Sequence, residues 1–416
     1  MIIATLERAI EVDAAAPVDV QAGASGHGSR RVLMLCYHYP PRQNGGVERS
    51  RQFARLLPVS GWDPVVLTLG RDGDPALDED GGHVVVRSPQ LNLGAVKSLL
   101  NRLRRAGPSV DATPSARGEA RPGTRLRDII EHCVFPDPEI LWALPAVRAG
   151  VRTIEHDGID VLYSTSPPES SHVLGFLLER LTGLPWVMDL RDPWSFESLK
   201  KPVRTFGPRR FLENAMERAC FARASRIVVN TPETAAEYRD RCPEIAAKLH
   251  VIPNGVDLDE LSRARATSGA QLPWTPSPDG ALLFAHTGTF CRLGWRDVTL
   301  APVLDAMARL RDVGALSPDR ARFVFAGHVA VGVQRGIERR GLGPLVEMPG
   351  ILTHDDALRL LLAADRLLLY DPPDDGKTYV RGKLYEYLVA GKPIVGVVPD
   401  GATRALLASS GHDLLA

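Results

Sequence analysis

The sequence predicts an α/β protein of two doubly wound domains facing each other across a cleft, and three observations predict it. Apolar runs of strand length alternate with helical spacing along most of the chain, the pattern of a parallel sheet covered on both faces. The series breaks at a Pro- and Ser-rich stretch around 271–280 and then begins again. The length of 416 residues exceeds what one hydrophobic core ordinarily serves. Open sheets of this kind bind ligands outside the carboxyl ends of their strands, so function is expected in the cleft.

Residues 1–29 are rich in Ala, Gly and Asp without periodicity and are expected to form a mobile tail. The first domain is expected over 30–260, with strands at 32–37, 64–69, 83–86, 161–164, 186–190, 227–230 and 250–252. After the first strand, a loop containing Asn44, Gly45 and Gly46 leads into a helix over 47–57 that aligns Phe53, Leu56 and Leu57. Residues 105–124 are rich in Gly, Pro, Ser and Arg and, with Lys97, Arg102, Arg104, Arg125 and Arg127, form a basic, flexible loop. It reads as a disordered insertion or, more sharply, as a lid or a contact for an anionic acceptor. The second domain, 271–416, has strands expected at 282–286, 323–326, 346–348, 366–370 and 394–398.

Composition narrows the function classes. A chain that is 44% hydrophobic and 24% charged reads as a globular enzyme. Fifty basic residues balance fifty acidic ones, which disfavours nucleic acid and anionic membrane as partners. Five cysteines (Cys36, Cys133, Cys220, Cys242, Cys291) without CxxC spacing point to neither a disulfide framework nor a zinc site, and the expected compartment is the cytoplasm. No apolar run approaches the roughly 18 residues that would span a bilayer.

The most informative segment is 383–397. Lys383 and Glu386 lie three apart on a helix closed by Gly391 and followed by a buried strand, so both share one helical face. A cation beside a carboxylate at the mouth of a strand-helix-strand unit suits a ligand with a phosphate at one end and a sugar diol at the other; an ordinary surface ion pair is the plain alternative. The run Asp189-Leu-Arg-Asp-Pro-Trp194 ends a buried strand, where Asp189 or Asp192 could orient an acceptor hydroxyl and Arg191 could hold a carboxylate or phosphate. The alternative there is an Asp-Arg bridge that caps the turn. In the second domain, Gly288 and Thr289 sit in a strand-end turn with Arg292 and Arg296 beyond it, and Pro349 and Gly350 sit in another whose backbone could bond a nucleobase. Asn254-Gly255 reads as an architectural turn that ends the first domain.

Taken in order, Tyr37-His-Tyr-Pro-Pro, Gly45-Gly46-Val47, the 189–194 run, Pro253-Asn-Gly-Val-Asp257, Val346-Glu-Met-Pro-Gly350 and Gly382-Lys-Leu-Tyr-Glu386 with Ala390-Gly-Lys-Pro393 resemble family 4 (group 1) glycosyltransferases of the GT-B fold, with two Rossmann-like domains. The resemblance spans about 31–410. It implies metal-independent, retaining transfer of a sugar from a nucleoside diphosphate, with no cofactor, the nucleotide sugar being a co-substrate. It implies that Glu386 binds the ribose diol, Lys383 and Arg296 the diphosphate, and the Gly350 loop the base. Gly45 and Gly46 would approach the donor, as would Gly288, Thr289, Arg292, Pro349, Arg381 and Leu384, while Asn44, His172, Arg191 and Trp194 would face the acceptor. Lys383, Arg296, Asp189 and Asp192 are the catalytic candidates, and no metal ligands are expected.

The chain departs from the family pattern at three positions: Thr378 replaces a frequent glutamate, Arg191 a frequent histidine and Thr289 a frequent arginine. Arg381 or Tyr379 would then substitute at the donor sugar. The chain also stops at Ala416, where members usually continue through helices that return to the first domain. Lys383, Glu386 and Arg296 are expected to converge on one crevice. The expected acceptor is a soluble small molecule or natural product, with cell-surface polysaccharide or lipid-linked glycan assembly as the alternative. A catalytically silent nucleotide-sugar binder, and a GT-B epimerase or phosphorylase, are the competing readings.

Overall fold

The computed structural model describes residues 30–42, 46–70, 82–91, 135–196, 207–267, 280–290, 300–372 and 377–411, together with a short strand at 76–77. The expected tail at 1–29, the basic loop at 105–124 and residues 271–279 of the expected linker lie outside the described residues.

The first sheet has eight strands: β1 (Arg30–Leu35), β2 (Trp62–Leu69), β3 (Ala76–Leu77), β4 (Val84–Ser88), β5 (Val161–Ser166), β6 (Trp186–Leu190), β7 (Arg226–Val229) and β8 (Leu249–Val251). Their order is β3-β4-β2-β1-β5-β6-β7-β8, and every pairing is parallel except that of the edge strand β3 with β4. Period-two alternation divides the strands between two cores. Leu33 and Leu35 enter one with Trp142, Leu174 and Trp186, while Val32 and Met34 enter the other with Tyr39, Ala54 and Val66. The covering helices are α1 (Val47–Leu56), α2 (Ile140–Asp157), α3 (Ser170–Thr182), α4 (Gly207–Arg223) and α5 (Pro232–Arg241).

The second sheet, β9 (Leu282–Thr287), β10 (Ala321–Ala326), β11 (Val346–Gly350), β12 (Arg366–Tyr370) and β13 (Ile394–Val397), is wholly parallel in the order β11-β10-β9-β12-β13. Leu367 and Leu369 face one core, and Leu368 and Tyr370 the other. Helices α6 (Leu258–Thr267), α7 (Ala301–Asp312), α8 (Val331–Arg339), α9 (His354–Ala363), α10 (Gly382–Ala390) and α11 (Ala402–Ser409) complete this half. Strand order reverses at β1/β5 and at β9/β12, so each sheet has a switch point where its loops part and a ligand crevice forms.

The chain crosses between the halves at 252–257, a few residues before the expected end of the first domain at 260. Leu261 and Ala264 of α6 are already buried in the second core beside Leu358 and Leu361, because they carry that helix's apolar stripe. Asp257 starts α6 by accepting hydrogen bonds from the Asp259 and Glu260 amides at 2.9 and 3.3 Å.

Candidate active site

Helix α10 begins beside the β9/β12 switch point. Its Tyr387 is fully buried, and the Tyr387 hydroxyl accepts a hydrogen bond from the Thr287 amide at 2.9 Å, locking the helix to the end of β9. One turn earlier, Lys383 Nζ lies 3.1 Å from His286 Nε2. His286 Nδ1 is 2.9 Å from the Leu368 carbonyl of β12. Burial, then repulsion from Arg381 against attraction from Asp371 and Glu386, pushes the Lys383 pKa down to about 7. Arg381, just before the helix, is paired with Asp371 at the end of β12.

Three glycines let the strand-end loops pass close to one another. Gly288 has φ +126°, and a side chain there would place Cβ 2.9 Å from Lys383 Nζ. Gly327 has φ +129°, and a Cβ there would meet the Gly288 carbonyl oxygen at 1.9 Å. The Gly327 amide donates to the Gly350 carbonyl at 2.7 Å. Beyond it Met348, Pro349 and Ile351 are exposed at the same edge of the sheet and leave an apolar surface there.

Glu386 shares one half-buried face of α10 with Lys383. Its carboxyl is raised above its ordinary value by burial, and it senses His354 and Lys383 as cations and Glu48 and Glu260 as anions. Glu48 belongs to α1 of the first half, so this face of α10 looks across the crevice. The crossing is tied there: Arg51 bonds Glu48 at 2.8 Å and Glu260 at 2.6 Å, and His354 lies 3.2 Å from Glu260. From the first half, Thr231 and Thr234, at the start of α5, both donate to the Thr378 carbonyl, the latter at 2.7 Å. The departure from the family pattern at 378 therefore sits at a point of contact between the halves.

The first-half candidates fall into two groups. Asp189 is fully buried at the end of β6, where Arg49 grips it twice at 2.9 and 3.0 Å and Tyr163 and Thr165 donate to it at 2.6 and 3.0 Å. Burial alone would raise its pKa, but Arg49 overrides this and holds the carboxylate below its usual range. Arg49 also donates to the carbonyls of Ile252 and Pro253 at 3.0 and 2.9 Å, so the pair anchors the crossing. His172 and Trp194 are likewise fully buried, in place of the expected acceptor-facing position. Ser164 bonds both His172 and Trp186 at 2.8 Å, and the Trp194 amide donates to the Tyr238 hydroxyl at 3.0 Å. The inward face of α3 and the apolar bulk of tryptophan put both rings in the core. Leu384 is buried in the second core too.

Arg191 and Asp192 stay partly exposed beyond β6, and Arg191 donates to the Gly46 carbonyl at 2.7 Å. Beside them His38 is pushed down to about 4 by burial, Arg42 and Arg191. Thr289 lies in the β9 turn near Gly288. Asn44, Gly45, Arg292 and Arg296 lie outside the described residues, and so does the expected convergence of Arg296 with Lys383 and Glu386.

Comparison with known proteins shows what this architecture is similar to. Residues 95–260 match the family description Glycosyltransferase Family 4. The chain thus carries a segment that matches this family's model and has the GT-B fold. Among solved structures it is similar to the sucrose-phosphate synthase of Thermosynechococcus elongatus, at 15% identity and TM-score 0.57 over 89% of this chain and 82% of the other. It is also similar to the α,α-trehalose 6-phosphate synthase of Burkholderia multivorans, at 13% identity and TM-score 0.58 over 94% and 86%. The catalytic domain of starch synthase IV from Arabidopsis thaliana, bound to ADP and acarbose, aligns at 12% identity and TM-score 0.52 over 90% and 84%. No curated protein matches the sequence.

Sequence reasoning passed over His286, Arg49 and the Thr231–Thr234 pair. A polar residue closing an otherwise apolar strand was the available signal for His286, as was an arginine on the inward stripe of α1 for Arg49. Nothing in the sequence pairs Thr231 with Thr378. Among the described residues no helix is long and apolar enough to cross a membrane.

Proposed function

We propose that this protein is a glycosyltransferase that moves a sugar from a UDP- or GDP-sugar to a soluble small-molecule or natural-product acceptor, with retention at the anomeric carbon and without a metal or cofactor. The observation that carries this reading is the placement of Lys383 and Glu386 one turn apart on α10, at the β9/β12 switch point and facing the first half. Breaking the bond from the anomeric carbon to phosphate builds negative charge on the departing diphosphate. A fixed cation that binds this charge more tightly than the ground state lowers the barrier. Lys383 is that cation, with Arg296 as its partner, and each charge-assisted hydrogen bond contributes about 1.5–3 kcal/mol.

Glu386 accepts hydrogen bonds from the ribose hydroxyls, and the 348–351 turn receives the base. The Gly46 end of α1, steadied by Arg191, closes over the donor from the other side. Closure of the halves excludes water and limits hydrolysis of the donor. The acceptor's proton passes to the leaving phosphate. Balanced charge, fifty basic against fifty acidic residues, favours a soluble acceptor over one embedded in an anionic membrane.

Incubation with a panel of UDP- and GDP-sugars, with and without candidate acceptors, tests the reading. Nucleotide release that depends on acceptor is the expected result. Tight donor binding with no release in the presence of any acceptor would replace transfer with simple binding. Flotation with anionic liposomes at low salt, lost at high salt, would move the acceptor to the membrane.

A further inference from the structure

Lys383 is held by a side chain that the donor itself need not touch. The Leu368 carbonyl can only accept a hydrogen bond, so His286 Nδ1, 2.9 Å away, carries the ring proton and Nε2 presents a lone pair. Lys383 Nζ, at 3.1 Å, therefore donates to Nε2. The ring cannot swing away: it stacks on Phe290 with centroids 3.9 Å apart at 15°, and meets Phe325 edge-on at 6.3 Å. Gly288 leaves the space that Nζ occupies.

The charged groups facing Lys383 are Arg381 before α10, Asp371 at the end of β12 and Glu386 on α10 itself; those facing His286 are Lys383 and Arg381. Burial first, and then these two cations, hold the His286 pKa well below its ordinary value, so the lone pair persists through neutral pH. A charged imidazolium here would repel the ammonium, whereas the neutral tautomer supports it.

We propose that His286 is a positioning residue for the donor: its fixed Nε2 lone pair aims the Lys383 ammonium at the diphosphate and favours the charged lysine against the cost of burial. This rests on the donor-site reading above. It follows that nucleotide binding at slightly alkaline pH takes up a proton, because the arriving diphosphate favours the ammonium in a site where burial has pushed it down to about 7.

Calorimetric titration with UDP and with GDP, run at about pH 6 and about pH 8 in buffers of different ionisation enthalpy, tests the proposal. The intact protein should take up more protons on binding at the higher pH. His286→Phe keeps the stack on Phe290 and deletes the acceptor; it should weaken binding about tenfold at the higher pH and less than about threefold at the lower, the loss of one charge-assisted bond. His286→Gln, which offers an oxygen near the Nε2 position, should recover most of the loss. Thermal unfolding of each variant is followed alongside.

A loss equal at both pH values, failure of His286→Gln to recover binding, or no proton uptake by the intact protein overturns the role of His286. If Lys383→Met still abolishes nucleotide binding in those cases, the donor site stands without it. If the intact protein binds neither UDP, GDP nor their sugars, the donor-site reading fails and the His286 proposal with it.

Discussion

Arg49 and Asp189 form a buried two-pronged ion pair, 2.9 and 3.0 Å long, and the same guanidinium holds the carbonyls of Ile252 and Pro253 where the chain crosses between domains. The pair thereby ties α1, the end of β6 and the crossing into one unit. Removing one partner strands the other charge in the interior, so Asp189→Ala or Arg49→Met should each cost about 3–5 kcal/mol. Chemical denaturation of each variant checks this. Because Arg49 holds the Asp189 pKa below its usual range, the stabilisation is present above the ordinary aspartate range and lost as pH falls below it. A variant as stable as the parent would remove the anchoring role.

Lys383 should link donor binding to pH. With its pKa pushed down to about 7 in the free site, the ammonium is half formed near neutrality, nearly complete about one pH unit lower, and declines as pH rises. A bound diphosphate favours the charged form, so donor affinity should be highest below about pH 7 and fall above it. Lys383→Met should flatten this dependence and lower kcat/KM at least about a hundredfold, the removal of a cation that acts chiefly on the leaving group. Donor KM and kcat measured across the pH range provide the check.

Glu386 should read the ribose. Glu386→Ala should weaken donor binding by about 1.5–3 kcal/mol, the value of hydrogen bonds to a charged acceptor. It should also erase discrimination between the ribose and 2′-deoxyribose forms of the nucleotide. Competition binding with the two nucleotides measures both effects, and retained discrimination would assign the diol to another group.

Thr231 and Thr234 hold the Thr378 carbonyl from the opposite domain. The double variant Thr231→Val/Thr234→Val should lose about 1 kcal/mol through the α5 N-cap, where Thr231 accepts from the Thr234 amide. It should also raise donor KM, because the segment leading into α10 loses its cross-domain support. Thr234→Val alone spares that cap bond, so it separates the two effects in steady-state kinetics. Unchanged donor KM in both variants would make the contact a matter of stability alone.

Much of the frame was legible because buried parallel strands write themselves as apolar runs: the expectations at 186–190 and 366–370 coincide with β6 and β12, and the others fall within a few residues. The two-residue strand β3 was not legible, since two residues carry no periodicity. That Lys383 and Glu386 are neighbours on one face was legible because residues three apart on a helix lie side by side. Asp189, His172 and Trp194 illustrate the limit. A charged or aromatic residue after a strand reads the same whether it faces the crevice or the core, and only the partner decides: Arg49 lies 140 positions from Asp189. His286 needed the register of β9 against β12 and the path of α10, neither of which is local.

The most direct measurement is a crystal structure with bound UDP-sugar or GDP-sugar. The diphosphate should lie within hydrogen-bond distance of Lys383 Nζ, with the ribose hydroxyls on the Glu386 carboxylate and the base against the 348–351 turn. A nucleotide bound elsewhere, or bound here with Lys383 and Glu386 turned away from it, would contradict the account.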